Sequence, residues 1–225
     1  NQPELKIING ELQDMTYMFR DTRDSLGQIA IKTYMKAIWS ESVDNVVIIT
    51  PRRENCENSA NEINKKIVDL IADKTKKHMQ LGDKTFYIGS KVMQTDNNYE
   101  KNVFNGEIGY ITDIQTVMDG KDKTVEFTVE FKMNGTSKFV TYKRSELGQL
   151  DLAYAMTVHK VQGQSISSVI IITDMTHYTL LDTCLLYTAI TRAKKRCLLL
   201  SEPKAFKMCM ENNKSRSRQT WLSKM

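Results

Sequence analysis

The chain has 225 residues, 40% of them hydrophobic and 26% charged, with a formal net charge of +5 and a pI near 8.9. That length suits one sizeable α/β core plus a small appended domain, and the composition is that of an ordinary soluble protein. No apolar run approaches the length of a membrane span, and the four cysteines and three histidines form neither a Cys-x-x-Cys pair nor a metal-ligand spacing, which argues against a membrane protein, a disulfide scaffold and a zinc domain.

The basic balance fits contact with a polyanion, although charge alone does not decide it. No signal peptide opens the chain, so a cytoplasmic setting with reduced cysteines and no membrane partner is expected. A beginning at Asn1-Gln-Pro, without Met, is expected of a piece cut from a longer polypeptide.

In chain order, Met15–Phe19 reads as a strand, and Asp24–Trp39 as a helix with Ile31, Met35 and Ile38 on one stripe. Asn45–Thr50 is a continuous apolar run of the kind covered on both faces of a parallel sheet. A second helix follows over Asn58–Ile71, striped by Ile63, Ile67 and Leu70. Character changes near Lys84, where the runs Phe86–Thr95, Glu107–Val117, Thr124–Lys132 and Lys138–Arg144 are β-rich and broken by Asp119-Gly120 and Asn134-Gly135. Those dipeptides favour tight hairpins because both central positions want positive φ. An antiparallel barrel over 84–149, inserted into an α/β domain of 1–83 and 150–225, is therefore expected.

From Leu150 to Met156 the chain reads as a strand end, after which the Thr157 hydroxyl is expected to cap a short helix that Gly163 ends in a left-handed conformation. That turn would lie at the carboxyl edge of the sheet, where α/β proteins place ligands. Ser168–Thr173 is a further parallel strand, Leu180–Lys194 a helix, and Cys197–Ser201 the last strand. On the helix, Thr188 and Arg192 share a face with the apolar stripe of Leu181 and Leu185. An idle charge there would be costly unless it reached a partner. The tail from Lys204 starts as a helix and carries Lys214, Arg216 and Arg218, which read as solvated surface.

Two blocks bear on function: Ala155-Met-Thr157-Val-His159-Lys160-Val-Gln162-Gly163-Gln164-Ser165 and Leu186-Tyr-Thr188-Ala-Ile-Thr-Arg192-Ala-Lys194. Together they resemble motifs V and VI of superfamily 1 helicases, closest to the RecD-like and Pif-like branch, of which the exodeoxyribonuclease V alpha subunit is a type. The resemblance implies an α/β, RecA-like parallel sheet flanked by helices, with a small antiparallel SH3-like barrel inserted. It implies single-stranded DNA facing Thr157, His159 and Lys160, nucleotide facing Gly163, Gln164 and Ser165, and Arg192 as an arginine finger on the γ-phosphate. Ser165 stands where many members carry Glu, which puts a carboxylate role there in doubt.

By weaker matches, Asn98, Tyr99 and Asn105 of the barrel and Thr50 at a strand tip are also DNA-side candidates, whereas Arg52 and Arg53 read equally as phosphate ligands or as a solvated turn. Simple turn formation and packing explain Asn105 and Tyr99 equally well, and a salt bridge to an acidic neighbour is the competing reading of Arg192. The family's motif IV is expected before Asn1.

No Gly-x-x-x-x-Gly-Lys-Ser/Thr loop occurs in the sequence, the only Gly-Lys pair being Gly120-Lys121 before Asp122. The chain is accordingly read as the C-terminal half of an ATP-dependent 5′ to 3′ DNA helicase active in repair or recombination. ATP and Mg would be held mainly by an N-terminal RecA-like domain of the same polypeptide, and exonuclease-complex subunits could join it. Two rival readings are a stand-alone nucleic-acid-binding module without motor activity and a helicase directed to RNA.

Overall fold

The computed structural model describes residues 14–20, 23–119, 122–133 and 135–212. In chain order the elements are β1 (Asp14–Phe19), α1 (Arg23–Glu41), β2 (Val46–Thr50), α2 (Ala60–Ile71), β3 (His78–Leu81), β4 (Lys84–Tyr87), β5 (Lys91–Gln94), β6 (Ile108–Asp119), β7 (Asp122–Met133) and β8 (Thr136–Lys143). A 3-10 helix over Arg144–Gln149 then leads to β9 (Leu150–Leu152), β10 (Ala155–Thr157), β11 (Ile166–Thr173), a second 3-10 turn at Met175–His177, α3 (Thr183–Ile190), β12 (Ala193–Ser201) and α4 (Pro203–Glu211). The chain divides into two units, one of 1–63 with 155–225 and one of 64–154. Lys214, Arg216 and Arg218 lie outside the described residues.

The first unit is built on a parallel sheet in the order β1-β12-β11-β2-β10. All five residues of β2 are buried, and Val169–Thr173 of β11 likewise. Continuous apolar strands are what a sheet covered on both faces requires, and each fully buried Val, Ile or Leu contributes about 1.5–3 kcal/mol. Helix α1 covers the sheet with Leu26, Ala30, Ile31 and Tyr34, all buried. Of the expected stripe only Ile31 belongs to that face, and Met35 and Ile38 are half-exposed. The Asn58 side chain of the β2–α2 loop packs so close to α1 that a Cβ on Gly27 would stand 2.2 Å from its oxygen, so any larger residue would have to displace that amide.

On α2, Ile63, Ile67 and Val68 are buried whereas Leu70 is 61% exposed, so the buried stripe runs through Val68 rather than Leu70. The second unit is an antiparallel sheet in the order β8-β7-β6-β5-β9, with β3 and β4 forming a separate hairpin. It begins at residue 64 rather than 84, since that hairpin and most of α2 belong to it. Its core includes Val92, Ile111, Ile114, Phe127, Val129, Phe131, Val140, Tyr142 and Leu147.

The β6–β7 register pairs Asp119 with Asp122, leaving a two-residue hairpin loop, and the β7–β8 register pairs Met133 with Thr136. Gly135 in the second loop has φ +82°, the conformation that the Asn-Gly dipeptide anticipates. The outer strands β8 and β9 share no ladder, so the expected barrel is not hydrogen-bonded into a closed ring; the 3-10 helix over Arg144–Gln149 links them instead.

Candidate functional site

Strand β10 places Thr157 directly beside Thr50 of β2, so both stand at the carboxyl edge of the parallel sheet. Beyond Thr157 the backbone N–H groups of Lys160 and Val161 donate to its carbonyl at 3.0 and 3.3 Å, that of Gln162 donates to His159 at 3.3 Å, and that of Gln164 to Val161 at 3.0 Å. These are overlapping turns, not the expected short helix, and Thr157 serves them with its carbonyl rather than its hydroxyl. Gly163 adopts φ +83°, with nothing within 4 Å of an added Cβ; backbone conformation, not crowding, calls for glycine there.

The segment then reaches Ile166 at the start of β11, whose N–H donates to the Arg192 carbonyl at 2.8 Å. Gln164 and Arg192 therefore stand at the amino edge of the sheet, opposite Thr157. The expectation of a single carboxyl-edge turn holds only for its first residues. His159, Gln162, Gly163 and Ser165 are exposed, and Lys160 and Gln164 half-buried.

Arg192 occupies the two-residue turn between α3 and β12. The helix is capped by the Asp182 carboxylate, which accepts from the Leu185 N–H at 2.7 Å, and it ends at Ile190, four residues before the expected Lys194. The guanidinium is half-buried; its Nε donates to the Thr188 carbonyl at 3.1 Å, Nη1 to the Gln164 carbonyl at 3.2 Å and Nη2 to the Thr191 hydroxyl at 3.2 Å. Among the described residues it makes no ion pair, so the salt-bridge reading finds no support. All three acceptors are neutral, and two are backbone carbonyls at the ends of a helix and a turn, which favour a cation without neutralising it.

A cavity of about 430 Å³ runs between this crossover and α3, lined by Val158, His159, Gln162, Leu180, Leu185 and Thr188 among others. The Gln162 amide, which with the side chains of Thr157, His159 and Lys160 makes a mixture suited to phosphate and sugar contacts, is thus among the lining residues.

At the carboxyl edge, Thr50 corrects the expectation of a DNA-facing side chain. It is fully buried, and its hydroxyl donates to the Asn58 carbonyl at 2.7 Å, so it ties down the loop over residues 51–59. Asn58 in turn donates from Nδ2 to the Asp174 carboxylate at 2.8 Å, and the Thr176 N–H donates to the same carboxylate at 2.8 Å. Burial works to raise the Asp174 carboxyl, but His177, Thr176 and Asn58 outweigh it and hold the group below the ordinary carboxylate range. The His177 imidazole is lowered, chiefly by burial and also by Arg52, against the pull of Asp174. Sequence reading missed this polar cluster because it has no periodicity; Asp174 directly after an apolar strand was the only hint.

In the second unit, Asn98 is spent on structure: Oδ1 accepts from the Lys101 N–H at 3.0 Å and Nδ2 donates to Gln149 at 3.2 Å. Tyr99 is 77% exposed and stands edge-on to Phe104 with ring centroids 6.0 Å apart. Asn105 is exposed, its backbone N–H donating to the Asn97 side chain at 2.9 Å, and Gly106 follows at φ +93°. Phe104 is thus a neighbour of Tyr99 that the motif alone did not single out.

Residues 63–131 match the family model of the ATP-dependent RecD-like DNA helicase SH3 domain, and residues 152–200 match that of the UvrD-like helicase C-terminal domain. Both matches are to domains of RecD-like and UvrD-like helicases, and the chain is similar to the RecD-like superfamily 1 helicases. Among curated relatives, this chain is 35% identical over 108 residues to the ATP-dependent RecD2 DNA helicase of Deinococcus radiodurans, covering 48% of this chain and 13% of that protein. It is 34% identical over 148 residues to the RecBCD enzyme subunit RecD of Buchnera aphidicola, covering 65% of this chain and 23% of that protein.

The chain thus spans less than a quarter of the length of these relatives. Pif1 helicase from Candida albicans aligns with a TM-score of 0.46 and 15% identity, covering 84% of this chain and 58% of that chain. No helix among the described residues is long and apolar enough to cross a membrane.

Proposed function

We propose that this chain is the second motor domain, with its inserted SH3-like unit, of an ATP-dependent DNA helicase moving 5′ to 3′ on single-stranded DNA. What supports the reading is Arg192: a guanidinium without a carboxylate partner among the described residues, held at the amino edge of the sheet beside the Gln164 backbone. A planar cation of that kind can span two phosphoryl oxygens. A separate domain bearing the phosphate loop, which this sequence lacks, would hold ATP and magnesium. Gly163, Gln164 and Ser165 would face that nucleotide, and closure would bring Arg192 onto the γ-phosphate.

At the opposite edge, Thr157, His159 and Lys160 would grip the strand, with the Thr50 loop supporting them from behind. Tyr99, with Asn105 beside the Gly106 turn, would offer a stacking face and an amide to bases. Asn98 contributes by fixing the loop rather than by touching DNA. Assembly with exonuclease-complex subunits and a cytoplasmic setting belong to the same proposal.

The test is strand binding by the full-length helicase carrying Lys160→Ala, across a range of salt. Losing one phosphate contact lowers the slope of log affinity against log salt by about 0.7 on a single strand. ATP binding stays unchanged. A normal slope with impaired nucleotide binding would move Lys160 to the other edge's chemistry and sink the division of labour.

A further inference from the structure

The motor reading takes only His159 from the walls of the cavity between the 157–166 crossover and α3, and leaves the rest unused. At about 430 Å³ the cavity lies at the low end of small-ligand pockets, about 300–1,000 Å³, so it has room for one ring system and not for a length of strand. Val158 and Leu185, both buried, give it apolar surface together with Leu180. Polar groups stand among them: the exposed Gln162 amide, the half-buried Thr188 hydroxyl and the Asp182 carboxylate. One Asp182 oxygen accepts from the Leu185 N–H at 2.7 Å, and a carboxylate has a second oxygen with which to accept from a ligand.

Among the described residues that line the cavity there is no Lys or Arg, and Asp182 adds a negative charge. A phosphate would enter unpaired and against that charge, which is unfavourable. The chemistry that fits is a flat, uncharged ring with apolar faces and a hydrogen-bonding edge. The Gln162 amide offers such an edge both a donor and an acceptor, and the carboxylate takes an exocyclic amine. Lys160, next in sequence to His159, is not among the lining residues, so a phosphate held by it stays outside while the attached base reaches in.

On the reading that His159 and Lys160 grip the strand, on which this assignment depends, we propose that one base of the bound single strand unstacks and enters the cavity, with bases that carry an exocyclic amine favoured over thymine. Loss of stacking is offset by burial of the ring against Val158, Leu180 and Leu185 and by the hydrogen bonds at its edge.

The full-length helicase is bound, without ATP, to oligothymidylate strands held in register by a hairpin at one end and carrying a single 2-aminopurine at successive positions. A 2-aminopurine that leaves the stack brightens, and among the described residues no Trp, Tyr or Phe lines the cavity to quench it. One position brightens on binding, and cytosine there binds about fivefold more tightly than thymine. Gln162→Ala, which removes the amide, and Cys184→Phe, which fills the mouth from an exposed position on α3, each abolish both effects while the all-thymine strand stays bound. No brightening at any position, equal affinity for cytosine and thymine, or effects that survive either variant would overturn the pocket and leave the grip standing. An all-thymine strand that fails to bind the unaltered helicase would overturn the grip, and the pocket with it.

Discussion

Replacing Arg192 with Ala separates catalysis from folding. The side chain makes three hydrogen bonds, all to neutral oxygens, and remains half-exposed. Its carbonyl partners lie in turns, where solvent can take over, so we expect a stability loss of about 1 kcal/mol or less. Arginine fingers in other NTPases are worth about a thousandfold or more in turnover, equivalent to about 4 kcal/mol of transition-state stabilisation. The measurements are steady-state ATP hydrolysis with saturating single-stranded DNA and a urea titration, both on the full-length helicase. Turnover should fall by about three orders of magnitude while the urea midpoint barely moves and strand affinity holds. A wild-type turnover, or a loss that merely tracks unfolding, would refute the reasoning and return Arg192 to a structural part.

Two further outcomes follow from other parts of the molecule. A Cβ at Gly109 would meet the Glu130 carbonyl and a Val129 methyl at 2.8 Å and the Phe131 ring at 2.9 Å, so Gly109→Ala overpacks the second unit and costs about 1–3 kcal/mol; an unchanged denaturation midpoint would count against it. The imidazole of His177 is lowered from its ordinary value of 6.5, so below that value the unfolded chain binds a proton that the folded chain refuses, and stability falls as the pH drops through 6.5 toward the folded pKa. Asp174, held low, adds a second loss only once the pH drops below its ordinary value of 3.8 and through its folded pKa. Urea midpoints that rise on acidification through the first window would contradict the assignment to His177.

How much of this was legible beforehand depended on whether the signal was local. The run Val46–Thr50 announced a strand covered on both faces because its residues are continuously apolar and show no alternation, and all five are buried. Strand β12 was harder. Lys194, Lys195 and Arg196 are exposed charges that mask its first residues, and the ladder is carried back that far by pairing of Ala193 with Ile166 and of Arg196 with both Asp14 and Ser168. The same masking extended the expected helix to Lys194. Leu70 fitted a helical period yet faces solvent, because a period does not say which of two adjacent stripes meets the core.

At the site, the family resemblance implied one nucleotide side for Gln164 and Arg192, and the structure joins the Arg192 guanidinium to the Gln164 carbonyl. It could not show that Thr50 spends its hydroxyl on the Asn58 carbonyl eight residues on. Nor could it show that a strand-end aspartate would gather Asn58, Thr176 and His177, since those partners meet only after the sheet has formed.

The crossover from Thr157 to Ile166 has one further consequence. Eight residues join the two rims of the sheet, and successive turn bonds from Lys160 to Gln164 leave little slack between them. One end is pinned by the ladder of Thr157 with Thr50, the other by the Ile166 amide against the Arg192 carbonyl. The span is therefore a short, bonded link and not a slack loop, and in the role proposed for Arg192 a pull on the Gln164 carbonyl would be carried toward the far rim.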